Sequence, residues 1–196
     1  ERRTESLWSA QDFMQPLHLF VALTEQSGQS KSLMIDATHL KAHRTVASLL
    51  KRELFPAISD EPKGTELKAH AVCDGADRPV RLHLTTGQVS DFKEADVLLE
   101  KLPNETEEVL GDKGYDSNRI RQLLAGRNIT ACIPSKKNWK SRPPYNWHLY
   151  KKRHLIENMF AKPKDWRRVA TRYDRSVHTF MSAIHIAATV FWLKNE

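Results

Sequence analysis

The sequence predicts an α/β fold, a mixed sheet flanked by helices, from three observations. A short apolar run, SLMIDATHL, suits a buried strand. In ELKAHAVCDGADRPVRLHLTTGQ two strand-like runs flank a Gly/Asp/Pro turn, the pattern of an antiparallel hairpin. After the hairpin, helix and strand patterns alternate, which sets helices against a sheet that is not purely antiparallel.

The elements can be justified in order. Residues 1–30 read as a helix and a polar linker, with Phe13, Leu17, Phe20 and Val21 at helical spacing and GQS as a breaker. The strand of SLMIDATHL follows, then a basic loop over 42–63 with Pro56 and Pro62, then the hairpin. DFKEADVLLEKL is a helix, with Asp91 as N-cap and Glu94 three residues on in a capping-box pattern. EEVLGDKGY is a strand ending in a turn, and SNRIRQLLAGR a helix between Ser117 and Gly126. ITACIPS is a fifth strand, 135–149 a basic aromatic loop with Pro143 and Pro144. A long helix starts near Trp147 or Tyr150, and an apolar helix covers roughly 177–194.

Composition narrows the class. The chain has 196 residues, 40% hydrophobic and 28% charged, enough to bury a core without staples. Its net charge of +7 favours a polyanionic partner, because lysine and arginine displace counterions from phosphate. Cys73 and Cys132 sit in apolar strand-like runs with no C-x-x-C spacing, which reads as buried thiols in a cytoplasmic protein. His39, His43 and His70 lack a ligand spacing such as H-E-x-x-H. The run Met181 to Leu193 is too short and too polar to span a bilayer, so no membrane partner is expected.

Three acids stand out by position. Asp36 ends the run Leu33-Met34-Ile35, Asp112 follows Val109-Leu110-Gly111, and Glu157 lies on the long helix. A carboxylate at the end of a buried strand is costly unless it is paired or binds a metal. Two ions about 3.5–4 Å apart, held by such acids, stabilise both attacking and leaving oxygens in phosphoryl transfer. On the same helix Tyr150, Arg153, Glu157 and Lys164 are three, four and seven residues apart, so at about 100° per residue they share one face. An aromatic, a guanidinium, a carboxylate and an ammonium suit a face that meets metal and phosphate.

YKKRHLIENMFAKPK thus carries Tyr-x-x-Arg-x-x-x-Glu-x(6)-Lys, and here the chain resembles bacterial insertion-sequence transposases with a DDE triad. GDKGYDS, ENMF and RRVATRYDR look like the family numbered five among insertion sequences. MIDATHLKAHR resembles that family's first-aspartate motif, with Ala37 where serine is usual. The resemblance runs from about residue 31 to 193. It implies an RNase H-like catalytic domain over 31–196, an order the predicted elements fit, preceded over 1–30 by the remnant of an N-terminal helical segment. It implies Asp36, Asp112 and Glu157 as catalytic and metal-binding residues for two Mg²⁺ or Mn²⁺ ions, and Tyr150, Arg153 and Lys164 as residues that position the transposon end. The partners implied are double-stranded DNA, both terminal repeats and target, and a second copy of the chain in a homodimer on DNA. A bacterial enzyme of this class works in the cytoplasm at the nucleoid.

Lys136, Lys137, Lys140 and Arg142, interleaved with Trp139, Tyr145 and Trp147, add a basic aromatic segment suited to a DNA strand. Three features depart from the family pattern: the short N-terminal segment, EPKGT with Gly64 alone where a glycine pair is usual, and Pro163 beside Lys164. The proline is expected to kink the helix and swing Lys164 off the shared face. Each acid alone has a plain alternative: a turn aspartate at Asp36 or Asp112, an i, i+4 partner of Arg153 at Glu157. As rival functions stand a catalytically inactive DNA-binding remnant and an RNase H-type nuclease.

Overall fold

The computed structural model describes residues 10–26, 30–43, 66–137, 139, 143–174 and 177–194. Its elements are α1 (Ala10–Gln26), β1 (Ser32–Ala42), β2 (Leu67–Cys73), β3 (Pro79–Thr86), α2 (Asp91–Leu99), β4 (Glu108–Gly111), α3 (Asn118–Gly126) and β5 (Thr130–Cys132). Then follow α4 (Trp147–Tyr150), α5 (His154–Lys164), α6 (Arg167–Ala170), β6 (Thr171–Arg172) and α7 (Val177–Lys194), with 3₁₀ turns at Lys113–Tyr115 and Lys151–Arg153. The sheet order is β3-β2-β1-β4-β5. β2 runs antiparallel to both neighbours, whereas β4 is parallel to β1 and to β5.

Period-two alternation sorts the strands onto two faces. Leu33, Ile35, Val72 and Val109 are buried against Ala95, Leu98 and Leu99 of α2 and Ile120 and Leu124 of α3. Met34, Ala71, Cys73, Leu110 and Cys132 pack on Ile156 and Met159 of α5. Further along β1, Leu40 meets Phe180 and Ile184 of α7. α1 packs on α7 through Phe20, Ala188 and Trp192. Both cysteines are free and buried. Among the described residues no helix is long and apolar enough to cross a membrane.

Three expectations are refined. Asp91 is not the N-cap of α2; Ser90 holds that position without a side-chain cap bond, and the Asp91 carboxylate turns to Lys68 instead. His70 is wholly buried on β2 beneath α2. The long helix is α4, a 3₁₀ turn and α5 in sequence, and two short pieces, α6 and β6, follow it. α5 runs through Pro163 to Lys164, because the proline falls in its last turn, where few further backbone bonds are lost. The segment with EPKGT lies outside the described residues.

Candidate active site

The site begins where the sheet divides. β1 pairs with β4 from Ser32 to Ile35, and Ile35 is opposite Gly111. One step on, Asp36 and Asp112 stand side by side at the ends of the shared ladder, with strands about 4.8 Å apart. β4 then leaves through the Lys113–Tyr115 turn, and β1 gains β6 only at Lys41. Among the described residues one edge of β1 is therefore unpaired from Asp36 to Leu40, and α5 packs beside it.

Each acid is held differently. Asp36 Oδ1 accepts the amide of Ala37 at 2.8 Å, and its Oδ2 accepts Arg153 Nη1 at 2.6 Å. Burial pushes the Asp36 carboxyl above its usual range, opposed by the Ala37 amide and Arg153, while Asp112 adds to the rise. Asp112 caps the 3₁₀ turn, accepting the amide of Gly114 at 2.7 Å. Glu157 accepts Arg153 Nη2 at 2.6 Å and is the most open of the three, with 58% of its side chain exposed. One guanidinium thus spans Asp36 and Glu157.

The helical stripe faces the same edge. Arg153 and Glu157 lie as described, and Lys164 Nζ donates to Thr38 Oγ1 at 2.6 Å. Lys164 has not swung away, so the expected effect of Pro163 on it does not occur. Burial lowers the Lys164 pKa and raises that of Tyr150. Tyr150 sits in a ring cluster, edge-on to Tyr145 at 5.5 Å and stacked on Trp147 at 6.0 Å. Lys151 lies over Trp147 at 5.8 Å, and over half of that indole is exposed.

The basic segment is pinned at its start. Asp116, buried, accepts Arg121 Nε at 2.9 Å and the backbone amide of Lys136 at 2.7 Å. Arg121 lies over Trp139 at 5.4 Å, so α3 holds one side of that half-buried ring. Lys137 is exposed, and Lys140 and Arg142 lie outside the described residues.

Among the described residues no three His, Cys, Asp or Glu side chains are close enough together to grip one ion in this arrangement. The donors themselves suit a hard divalent cation: carboxylate oxygens at a strand end, a second strand and a helix. Arg153 lies between two of them.

Sequence reasoning missed one group, Asp91 with Lys68 and His70. Asp91 Oδ1 lies 2.5 Å from Lys68 Nζ and 4.0 Å from His70 Nδ1. An aspartate just before a helix reads as a cap, which hid its other use.

Residues 28–192 match the model of the transposase DDE domain family. The transposase assigned to insertion sequence element IS6501 of Brucella ovis is 36% identical over 128 residues, 65% of this chain and 98% of that protein. The piggyBac transposase in its synaptic complex with hairpin DNA superposes with a TM-score of 0.53 at 10% identity, covering 94% of this chain and 52% of that one. The catalytic core of BIV integrase gives a TM-score of 0.45 at 12% identity, over 81% of this chain and 82% of that one. The sheet order, with the superposition on piggyBac transposase, makes the fold RNase H-like. The chain belongs to the transposase DDE domain family, and so to the enzymes that cut DNA and rejoin it elsewhere.

Proposed function

We propose that Asp36, Asp112 and Glu157 are the acids with which this transposase domain cuts DNA at transposon ends and joins it to target DNA. What supports this most directly is the β1–β4 register, which sets Asp36 beside Asp112 where the sheet opens, with Glu157 tied to Asp36 through Arg153. The all-oxygen donor set fits two Mg²⁺ or Mn²⁺ ions, which when bound would polarise the scissile phosphate and make a nucleophile of water. Hydrolysis frees a 3′-hydroxyl, which attacks a target phosphodiester and displaces its 3′-oxygen, with no covalent protein–DNA intermediate.

The chain's own residues hold and orient. Asp36 and Glu157, now held by Arg153, would bind the metal, and Arg153, once freed of them, would serve as a two-pronged phosphate ligand next to the reacting bond. Lys164 serves a further phosphate at the open edge of β1, and Tyr150 positions the transposon end. Lys136, Lys137, Lys140 and Arg142 follow the DNA backbone, with Trp139 as their anchor. The catalytic unit is residues 31–196. Two transposon ends call for two copies of the chain on DNA, in the cytoplasm at the nucleoid. GDKGYDS and RRVATRYDR support membership of insertion-sequence family five.

One observation favours a second reading, a DNA-binding remnant without catalysis: Arg153 already neutralises two of the three acids. Supercoiled plasmid with Mn²⁺ decides between them. Nicking by the wild type that Asp112→Asn abolishes supports the enzyme; DNA binding without nicking supports the remnant.

A further inference from the structure

Asp91 brings a fourth carboxylate to the site from the other face of the sheet. It opens α2, and Lys68 and His70, alternate residues of β2, point to the same side. A methyl group added at Gly114 would lie 2.8 Å from Asp112 Oδ1 and 3.4 Å from Asp91 Oδ2, so the two carboxylates flank that glycine closely. A side chain at Gly114 would collide with the Asp112 carboxylate, so only glycine lets the two acids come this close to the turn.

Two buried polar atoms near these carboxylates lack a hydrogen-bond partner among the described residues. His70 Nε2 lies 2.8 Å from Thr85 Oγ1, whose own proton goes to the Thr86 carbonyl. Thr85 therefore accepts from Nε2–H, and His70 Nδ1 is left with a bare lone pair. That Nδ1 is buried, has no partner among the described residues, and faces Asp91 Oδ1 at 4.0 Å. Asp91 Oδ1 already takes the Lys68 ammonium, so of this pair the imidazole nitrogen is the one that still lacks a donor. The Tyr115 hydroxyl is the other: buried, without a partner among the described residues, and raised in pKa by burial and then by Asp91, Asp36 and Asp112. A helix cap or a plain ion pair with Lys68 would leave neither orphan explained.

We propose that Asp91 and Asp112 border a divalent-cation position across Gly114, so that Asp91 is a fourth acid of the metal site, with Lys68 holding its carboxylate in place while the position is empty. This rests on the reading of Asp112 as a metal-binding residue. Asp112 would be shared between this position and the one at Asp36 and Glu157. Mg²⁺ and Mn²⁺ are content with one or two carboxylates when water and phosphate fill the remaining places. In this role Lys68 is a built-in competitor, as Arg153 is on the opposite face.

The test is Mn²⁺ binding by the full chain without DNA, followed through the electron paramagnetic resonance of free Mn²⁺. The wild type should take up two ions. Asp91→Asn, which keeps the shape and removes the charge, should weaken the weaker one about tenfold and leave the other within about twofold. Asp91→Glu should retain both. Lys68→Met should tighten the weaker ion, the opposite sign from Asp91→Asn, whereas a merely structural ion pair would make both variants alike. Far-UV circular dichroism confirms that each variant is folded. Uptake of one ion only, wild-type binding by Asp91→Asn, or shifts of the same sign in Asp91→Asn and Lys68→Met would overturn the proposal. Wild-type binding by Asp36→Asn and Asp112→Asn would instead sink the reading of the triad itself.

Discussion

Arg153 gives one terminal nitrogen to Asp36 Oδ2 and the other to Glu157 Oε1, each at 2.6 Å. The three groups come from a strand, a 3₁₀ turn and a helix, and Asp36 and Arg153 are each about four-fifths buried. The arrangement is a closed ion triad, and in the function proposed above the guanidinium stands where a metal ion would bind. Arg153→Ala should therefore tighten Mn²⁺ binding at the triad by about tenfold, worth about 1.4 kcal/mol, while it lowers thermal stability and slows cleavage of transposon-end DNA. Arg153→Lys should fall between, since one ammonium cannot reach both carboxylates in a fork. Calorimetric Mn²⁺ titration checks this; weaker binding by Arg153→Ala would show that the guanidinium helps to load the site.

Asp116 offers a test in which two simple expectations disagree. By charge alone, Asp116→Ala should improve DNA binding. By structure it strands the Arg121 guanidinium and the Lys136 amide and releases the basic segment. Loss of one partner of a buried pair costs about 3–5 kcal/mol. The expected result is a large drop in the urea midpoint and weaker binding to duplex DNA by fluorescence anisotropy, under conditions where the variant is folded. Tighter binding would mean that the segment needs no anchor.

His185, on α7 against Phe20 at a ring distance of 5.4 Å, links stability to pH. Burial lowers its pKa from 6.5 to about 4. The unfolded chain takes up a proton near 6.5 and the folded chain does not until about 4, so the unfolded state binds more protons in that window. Stability from the neutral ring is complete above pH 6.5 and is lost as pH falls towards 4, by about 3 kcal/mol. His185→Leu should flatten the dependence. Urea unfolding at pH 7 and pH 5 measures it, and equal slopes for variant and wild type would exclude the ring as the cause.

Pro163 sits in the last turn of α5 and denies the Met159 carbonyl its helical partner. Pro163→Leu restores an amide there and should raise the melting temperature by a few degrees, corresponding to about 1 kcal/mol. A lower melting temperature would show that the ring's packing matters more than the missing bond.

The parts of the fold written in local pattern were legible. The hairpin turn of CDGADRP, the alternating apolar runs and Ser117 as a cap follow from neighbouring residues, and the structure shows each. The alignment of Tyr150, Arg153, Glu157 and Lys164 was also legible, since helical periodicity survives a 3₁₀ turn of only three residues. Relations between distant segments were not. Nothing near Asp91 tells that Lys68, 23 positions earlier, lies within 2.5 Å of it. Likewise Arg153 as a bridge to Asp36 depends on α5 lying across β1, a packing choice that spacing cannot encode. β6, two residues long, is too short to leave a pattern at all.

The ladder between β1 and β4 has a consequence for how such a protein can change over generations. Asp36 and Asp112 are separated by a backbone spacing, not by the fit of side chains, so the core beneath them can be repacked by many substitutions without moving them apart. Insertions and deletions are another matter. A one-residue slip of β4 turns every side chain of that strand to the opposite face, and Asp112 with it. The lineage is thus free to drift in composition at this spot but held fixed in length.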